Sequence, residues 1–494
     1  MTEAVSYRDG FLHVENINVA EIIKRDNESE PVYIFSKNKI VENIQQYKCE
    51  LDKQKFRSSI NYSMKANGNP AILKIMKENG CSLTLVSGLE LKLALELEFL
   101  PDEIVFNGNG KQQWEIDLAI RSGVMLNVDS VFNLKQTIDG SKRANAPVNV
   151  LLRVNPNIEV DVHHYISTGK AGSKFGLDDI ELKEVVSALR TNKELKLVGL
   201  HCHLGSTIES VDVIGKSTER LVKLFRHLQK EGFDELKYIN IGGGLGIPYR
   251  KLQCETQAWQ SIEEGTRDKL ESLFNEYSKD NNLRSATQLF KTNKISSEHF
   301  VEIVYKKTCA GINQPIIKKL ENLLNNGRFV PTPADLIRKI KNYIQDDIHL
   351  IIEPGRSLVG NAAVLLCSVL GCKQSGTKNF VVVNCAMTEV IRPCLYGAYH
   401  HIDLAEPSRT DVKKVYDVVG PVCESSDFLG KDRFLSIPHE GCLLAIFDVG
   451  AYCGSMSMTY NMRRRAAEVM IDGANVQVIR RADTYEDLMK PYRV

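Results

Sequence analysis

The chain has no apolar run long enough to span a membrane. Stretches such as 362–366 fall far short of the roughly 20 residues a transmembrane helix needs. It has no surplus of one charge either: 63 Lys and Arg against 62 Asp and Glu leave +1, so no global field favours nucleic acid or acidic lipid. Its 12 cysteines form no Cys-x-x-Cys pair and no zinc-like spacing, so reduced thiols are expected and no metal. Residues 1–30 lack both an apolar secretory core and the Arg/Ser-rich, acid-poor make-up of a transit segment. A cytoplasmic protein acting on a small molecule, not a membrane or nucleic-acid partner, is the expectation.

What is present is a balanced globular composition, 43% hydrophobic and 25% charged over 494 residues, too long for one ordinary core. From about residue 60 an apolar run, a polar turn and an amphipathic stretch recur, the rhythm of βα units. Strands are expected at 60–64, 82–86, 104–107, 124–128, 148–154, 197–203, 238–242 and 350–353. Eight such units predict an α/β fold, a (β/α)8 TIM barrel with its chemistry at the C-terminal strand ends. The long interval before the last strand predicts a charged, helical insertion at about 251–328, a surface elaboration. After residue 360 the long helices stop, and runs at 362–370, 380–385, 414–419, 442–448 and 476–480 predict an antiparallel β domain. Runs 11–14 and 32–36 are candidates to join it. The expected division is a barrel at 36–359 and a β domain from 1–35 plus 360–494.

Four unusual motifs fall at the ends of barrel strands: Ser63-Met64-Lys65-Ala66-Asn67, His201-Cys202-His203-Leu204-Gly205-Ser206, Gly242-Gly243-Gly244-Leu245-Gly246 and Glu353-Pro354-Gly355-Arg356. A lone lysine in such a turn is ordinarily a solvated surface residue. The glycine run alters that reading, because it exposes backbone N–H groups where a barrel binds phosphate. It is neither a P-loop nor a dinucleotide fingerprint with its ribose-binding acid. Glu353 ends a buried apolar strand, where a carboxylate needs a cationic partner; a protonated pyridine nitrogen or a structural arginine would each serve. An amine, an anion cradle, a flat histidine and a buried carboxylate together point to pyridoxal 5'-phosphate, the electron sink for amino-acid carbanions.

In order along the chain, Tyr62-Ser63-Met64-Lys65-Ala66-Asn67, the three later rim motifs and Cys423-Glu424-Ser425-Ser426-Asp427 resemble the fold-type III pyridoxal-phosphate decarboxylases. These have an alanine racemase-like barrel, and the nearest likeness is to the diaminopimelate decarboxylase family. The resemblance runs from about 32 to 460, the insertion excepted. It implies that Lys65 forms the Schiff base, His203 stacks on the cofactor ring and Glu353 pairs with its nitrogen. Ser206, Gly243, Gly244, Gly355 and Arg356 fall in the phosphate and substrate motifs, with Tyr452 beside cofactor and substrate. Cys423 is implied as the proton donor to the carbanion, from the neighbouring subunit of a homodimer with shared active sites. The segment Met387 to Tyr396 carries Arg392, absent from polyamine-forming relatives, and Arg forms bidentate pairs with carboxylates. Arg392 and Arg356, with Tyr396 and Glu424, are thereby implied to read a distal carboxylate and amine. The implied reaction is decarboxylation of meso-2,6-diaminopimelate to L-lysine and CO2, the last step of lysine biosynthesis. The alternatives are a decarboxylase of ornithine, lysine or arginine, or a catalytically silent regulatory homologue.

Overall fold

The computed structural model describes residues 4–24, 30–157, 174–208, 210–249, 287–288, 291–292, 330–410 and 412–494. Apart from residues 287–288 and 291–292, the expected insertion at 251–328 lies outside them.

Eight parallel strands close into a barrel: Arg57–Ser63, Ser82–Leu85, Val105–Phe106, Met125–Val128, Val148–Arg153, Leu195–His201, Tyr238–Asn240 and His349–Ile352. Each overlaps a strand expected from the sequence. The last pairs with the first through Leu350↔Ser58 and Ile351↔Ser59, so the sheet has no open edge. Helices cover the outside, and Lys37–Gln54 shows why they form. Ser36 caps its start by accepting from the Lys39 N–H, Ile40, Ile44, Tyr47 and Leu51 make one buried face, and Lys55 ends it in the left-handed conformation.

Strand alternation builds two layers inside the barrel. Val105, Met125, Leu151, Val198 and Ile351 form an apolar plug. Two residues beyond Val105, Met125, Leu151 and Ile351 stand Asn107, Asn127, Arg153 and Glu353, all buried. The apolar layer fills the barrel. The polar layer becomes a floor beneath the C-terminal rim.

A nine-stranded sheet forms the second unit. Its path runs Phe428–Ser436, Lys413–Val419, Lys378–Val383, Ala363–Ser375, Val32–Ser36, Ala467–Asp472 and Asn475–Arg480; Leu443–Phe447 branches from Ala363–Ser375 and carries Ile402–Leu404. The sheet is mixed rather than wholly antiparallel, since Phe380 pairs in parallel with Asp417 and Val32 with Ala467. Val32–Ser36 leads directly into the barrel and lies between two strands from beyond it, so the barrel, not a hairpin turn, sets its direction. Phe11–Val14 does not join this sheet. It forms a three-stranded meander with Val5–Arg8 and Ile17–Asn18, docked through the Leu12 N–H to the Ala405 carbonyl and through Leu12 and Val14 against Ile34, Leu366 and Ala445. Phe428–Ser436 and Ala467–Asp472 carry Lys431, Asp432 and Glu468, charges that break the apolar alternation by which strands are read. Among the described residues no helix is long and apolar enough to cross a membrane.

Candidate active site

Lys65 stands in the 3-10 turn Met64–Ala66 that ends the first barrel strand. Met64 and Ala66 are buried and anchor the turn, while Lys65 is exposed, which leaves its amine at the barrel mouth. The sheet domain braces this turn. The Tyr452 N–H and the Ser455 hydroxyl both donate to the Ala66 carbonyl at 2.9 and 3.0 Å, and Asn67 Nδ2 donates to the Gly450 carbonyl at 3.3 Å.

Glu353 follows the last strand and is 5% exposed. No described lysine or arginine pairs with it; neutral donors surround it instead. Thr84 Oγ1 (2.8 Å), Asn240 Nδ2 (2.7 Å) and Asn107 Nδ2 (3.1 Å) reach Oε1, and Asn107 Nδ2 also lies 3.2 Å from Oε2. These contacts determine the orientation of the groups behind them. Asn107 turns its NH2 to the carboxylate, so its Oδ1 faces away and accepts from Asn127 Nδ2. That same NH2 lies 2.7 Å from His201 Nδ1, so Nδ1 accepts and the ring proton sits on Nε2, 3.3 Å from Glu353 Oε2. Burial lowers the His201 pKa against the pull of Glu353, and the ring is neutral. Burial would raise the Glu353 carboxyl, but His201 and the donors from Asn240 and Thr84 hold it below the ordinary range. Glu353 thus keeps a negative charge that no described lysine or arginine pairs with directly, while Arg153 shares its layer.

The glycine loop lies beside this floor. A Cβ at Gly243 would fall 2.0 Å from the Glu353 carbonyl oxygen, and one at Gly244, where φ is +103°, 2.2 Å from the Gly205 carbonyl oxygen. Only glycine lets these backbones approach. The Gly243 N–H donates to His203 Nδ1 at 3.3 Å. His203 is half-buried, and burial followed by the charges of Lys65 and Arg153 drives its pKa well down, so it presents a neutral flat ring at the mouth.

Arg356 begins the short helix after Gly355 and donates from Nη2 to Ser206 Oγ at 2.9 Å and from Nη1 to the Tyr249 hydroxyl. Its guanidinium lies over the Tyr452 ring at 4.8 Å. Arg392, on the helix Arg392–Tyr396 with half-buried Tyr396, lies over the Tyr249 ring at 4.7 Å. Both arginines are buried, 6% and 4% exposed, and neither pairs with a described carboxylate.

This set fits pyridoxal phosphate on its own geometry. It has an accessible amine at Lys65, an ionised carboxylate without a cation at Glu353 and a neutral ring at His203. Ser206, the glycine backbones and Arg356 supply donors for a phosphate. Cys423 and Glu424 stand apart from it. Both are exposed; the Cys423 N–H donates to Asn461 Oδ1, Glu424 accepts from Ser426, and no described hydrogen bond or ion pair joins either to the rim. Away from the rim, Glu406, His439 and Cys442 bring ligand atoms within 4.8 Å of one another in the sheet domain. Sequence reasoning missed Thr84, Asn107, Asn127, Asn240, Tyr249 and His400. For the asparagines a signal existed: each is a polar residue two positions beyond an apolar one at a strand end.

The comparisons agree with this geometry. The pyridoxal-dependent decarboxylase family matches in two parts, its pyridoxal binding domain over residues 37–284 and its C-terminal sheet domain over 204–450. A probable chloroplastic diaminopimelate decarboxylase of Oryza sativa is 37% identical, covering 98% of this chain and 83% of the rice protein. The diaminopimelate decarboxylase of Aquifex aeolicus is 33% identical over 99% of this chain and 97% of its own. Among solved structures, the M. jannaschii diaminopimelate decarboxylase in complex with L-lysine superposes with a TM-score of 0.78 at 29% identity, covering 100% of this chain and 98% of that one. With fold, floor and glycine cradle in agreement with two family domains and full-length relatives, this chain belongs to the pyridoxal-dependent decarboxylases.

Proposed function

We propose that the chain decarboxylates meso-2,6-diaminopimelate to L-lysine and CO2. The observation that carries this reading is the pair of buried guanidinium groups, Arg356 and Arg392, both near the Tyr249 ring at 5.6 and 4.7 Å with no described carboxylate partner. An unpaired buried charge is costly, so this pocket is built to be completed by anions. Two are available in the reaction: the cofactor phosphate beside Ser206 and Arg356, and the distal carboxylate of the substrate beside Arg392. Ornithine and lysine carry a cation at the distal end and would leave Arg392 without an anion.

Pyridoxal phosphate, when bound, supplies the electron sink for the carbanion left by CO2. Lys65 offers Nζ as its attachment point. Glu353 would offer its negative charge to the ring nitrogen, and His203 would give the ring a flat neutral face. Ser206 and the backbones of Gly244 and Gly355 would present donors to the phosphate, beside Gly243, whose N–H meets His203, with Tyr452 closing the rim. Arg392 and Tyr396, with Arg356 shared between the phosphate and the substrate, would grip the distal carboxylate, which decides which carboxylate remains. Glu424 attracts the distal amine. Cys423 delivers a proton from Sγ to Cα; its exposure, with no tie to the rim, supports a homodimer in which it acts on the partner's site. The same reading takes 36–359 as the barrel and 1–35 plus 360–494 as the β domain, and places the enzyme in the cytoplasm.

The test is CO2 release by purified, cofactor-loaded protein given meso-diaminopimelate, L-ornithine, L-lysine and L-arginine separately. Release from meso-diaminopimelate alone is expected. Release only from a monocarboxylic amino acid would overturn the substrate, and inertness to all four would leave a silent homologue.

A further inference from the structure

Arg392 is held on two sides before any ligand arrives. Its Nη1 lies 2.7 Å from His400 Nε2. His400 is fully buried, and its Nδ1 lies 2.9 Å from the Phe447 carbonyl oxygen. A carbonyl oxygen only accepts, so the ring proton is on Nδ1 and Nε2 offers a lone pair to the guanidinium. Burial first, then the charges of Arg392 and Arg356, drives the His400 pKa well down. That agrees with the contact, because a protonated ring would set two donors against each other. On the other side the Tyr249 ring lies over the Arg392 guanidinium and meets the His400 ring edge-on at 5.2 Å.

The consequence lies in the donors that remain. A guanidinium grips a carboxylate with two parallel N–H groups, either end-on through Nη1 and Nη2 or side-on through Nε and Nη2. His400 takes one of the two Nη1 N–H groups, and Arg392 Nε is buried without a hydrogen-bond partner. His400 and Tyr249 together fix the plane in which the remaining N–H groups point.

We propose that His400 is the positioning residue of the distal-carboxylate subsite: by accepting from Nη1 of Arg392 it fixes the orientation of the guanidinium before substrate arrives, and so sets the preference for a dicarboxylic amino acid. This rests on the substrate reading above. His400 touches neither the cofactor site nor the reacting carbon, so its influence falls on substrate binding rather than on chemistry. His400→Leu leaves Arg392 free to rotate and removes the acceptor. The KM for meso-diaminopimelate should rise roughly ten- to hundredfold, the range for one lost hydrogen bond to a charged group, with kcat and cofactor affinity within about twofold on the same reasoning. His400→Gln returns an acceptor to the reach of Nη1 and should recover most of the loss, whereas His400→Asn is too short and should not.

The experiment is steady-state CO2 release by wild type and the three variants, with cofactor affinity measured by absorbance titration of each. A raised KM in His400→Leu and His400→Asn, rescued in His400→Gln at constant cofactor affinity, is the expected result. If His400→Leu does not fold, the Gln and Asn pair carries the same comparison. An unchanged KM in the Asn variant while wild type turns over meso-diaminopimelate overturns the inference alone, as does a joint fall of kcat and cofactor affinity in all three. A wild type inert toward meso-diaminopimelate overturns the substrate reading and this inference with it.

Discussion

Replacing Glu353 with glutamine keeps the side chain's shape and removes its charge, and the floor of the barrel permits the cost to be worked out. Oε1 receives Thr84, Asn240 and Asn107, and Oε2 faces Asn107 and His201. A glutamine must turn its NH2 toward one of these groups. On the Oε1 side it meets three donors, so it settles on the Oε2 side, against Asn107 and against the Nε2–H of His201. His201 cannot shift its proton freely, because Asn127 donates to Nδ1. Hydrogen bonds to a charged group contribute about 1.5–3 kcal/mol each, partly offset by relief of the buried charge, so we expect a net loss of about 2–4 kcal/mol in the cofactor-free protein. The sign with pH follows from the lowered carboxyl pKa. Such a group contributes fully above its unfolded value of about 4.3 and loses its contribution as pH falls through the folded value. The gap between wild type and Glu353→Gln should therefore stay level around neutral pH and close in acid. Urea unfolding of both cofactor-free proteins, followed by circular dichroism from about pH 7 down to about pH 2, reads both effects. Equal stability at neutral pH, or a gap that widens in acid, would refute the reasoning.

Three other outcomes are expected. Gly243→Ala sets a methyl group 2.0 Å from the Glu353 carbonyl, which is backbone and cannot swing aside; the purified variant should lose bound cofactor by absorbance, and wild-type loading would contradict the cradle. Lys111 is buried under the rim, donates to the Gly108 and Asn127 carbonyls, and burial pushes its pKa down to about 8. Above that value the folded chain has released a proton that the unfolded chain keeps up to about 10.4, so wild-type stability should climb relative to Lys111→Met across that window in pH-dependent urea unfolding; a constant difference would argue against the shift. Finally, Lys65→Ala and Cys423→Ala should each be nearly inactive alone, yet regain part of the activity when mixed and allowed to exchange subunits. No recovery, with exchange shown by a tagged pull-down, would argue against a shared site.

Much of this site was legible because its parts are local. Lys65, the glycine run, Glu353 and Arg356 each follow an apolar strand, and a parallel barrel brings all such strand ends to one rim whatever lies between them. The network around Glu353 was not legible in that way. Thr84, Asn107 and Asn240, which donate to it, and Asn127 behind them come from four strands, and each alone reads as an ordinary polar residue at a strand end. Cys423 marks a different boundary: its role rests on a motif, while in a single chain it is exposed and no described hydrogen bond or ion pair joins it to the rim.

The sequence by itself determined the barrel, its rim chemistry and the family, because alternation of side chains along strands is a short-range property that closure of the sheet turns into position. Only the tertiary structure decided the states of those groups. The protons on His201 and His400 are set by Asn127 and by the Phe447 carbonyl, and the orientation of Arg392 by His400 and Tyr249. Protonation and orientation depend on which donor faces which acceptor at about 3 Å, and residues far apart along the chain acquire that relation only when the fold closes.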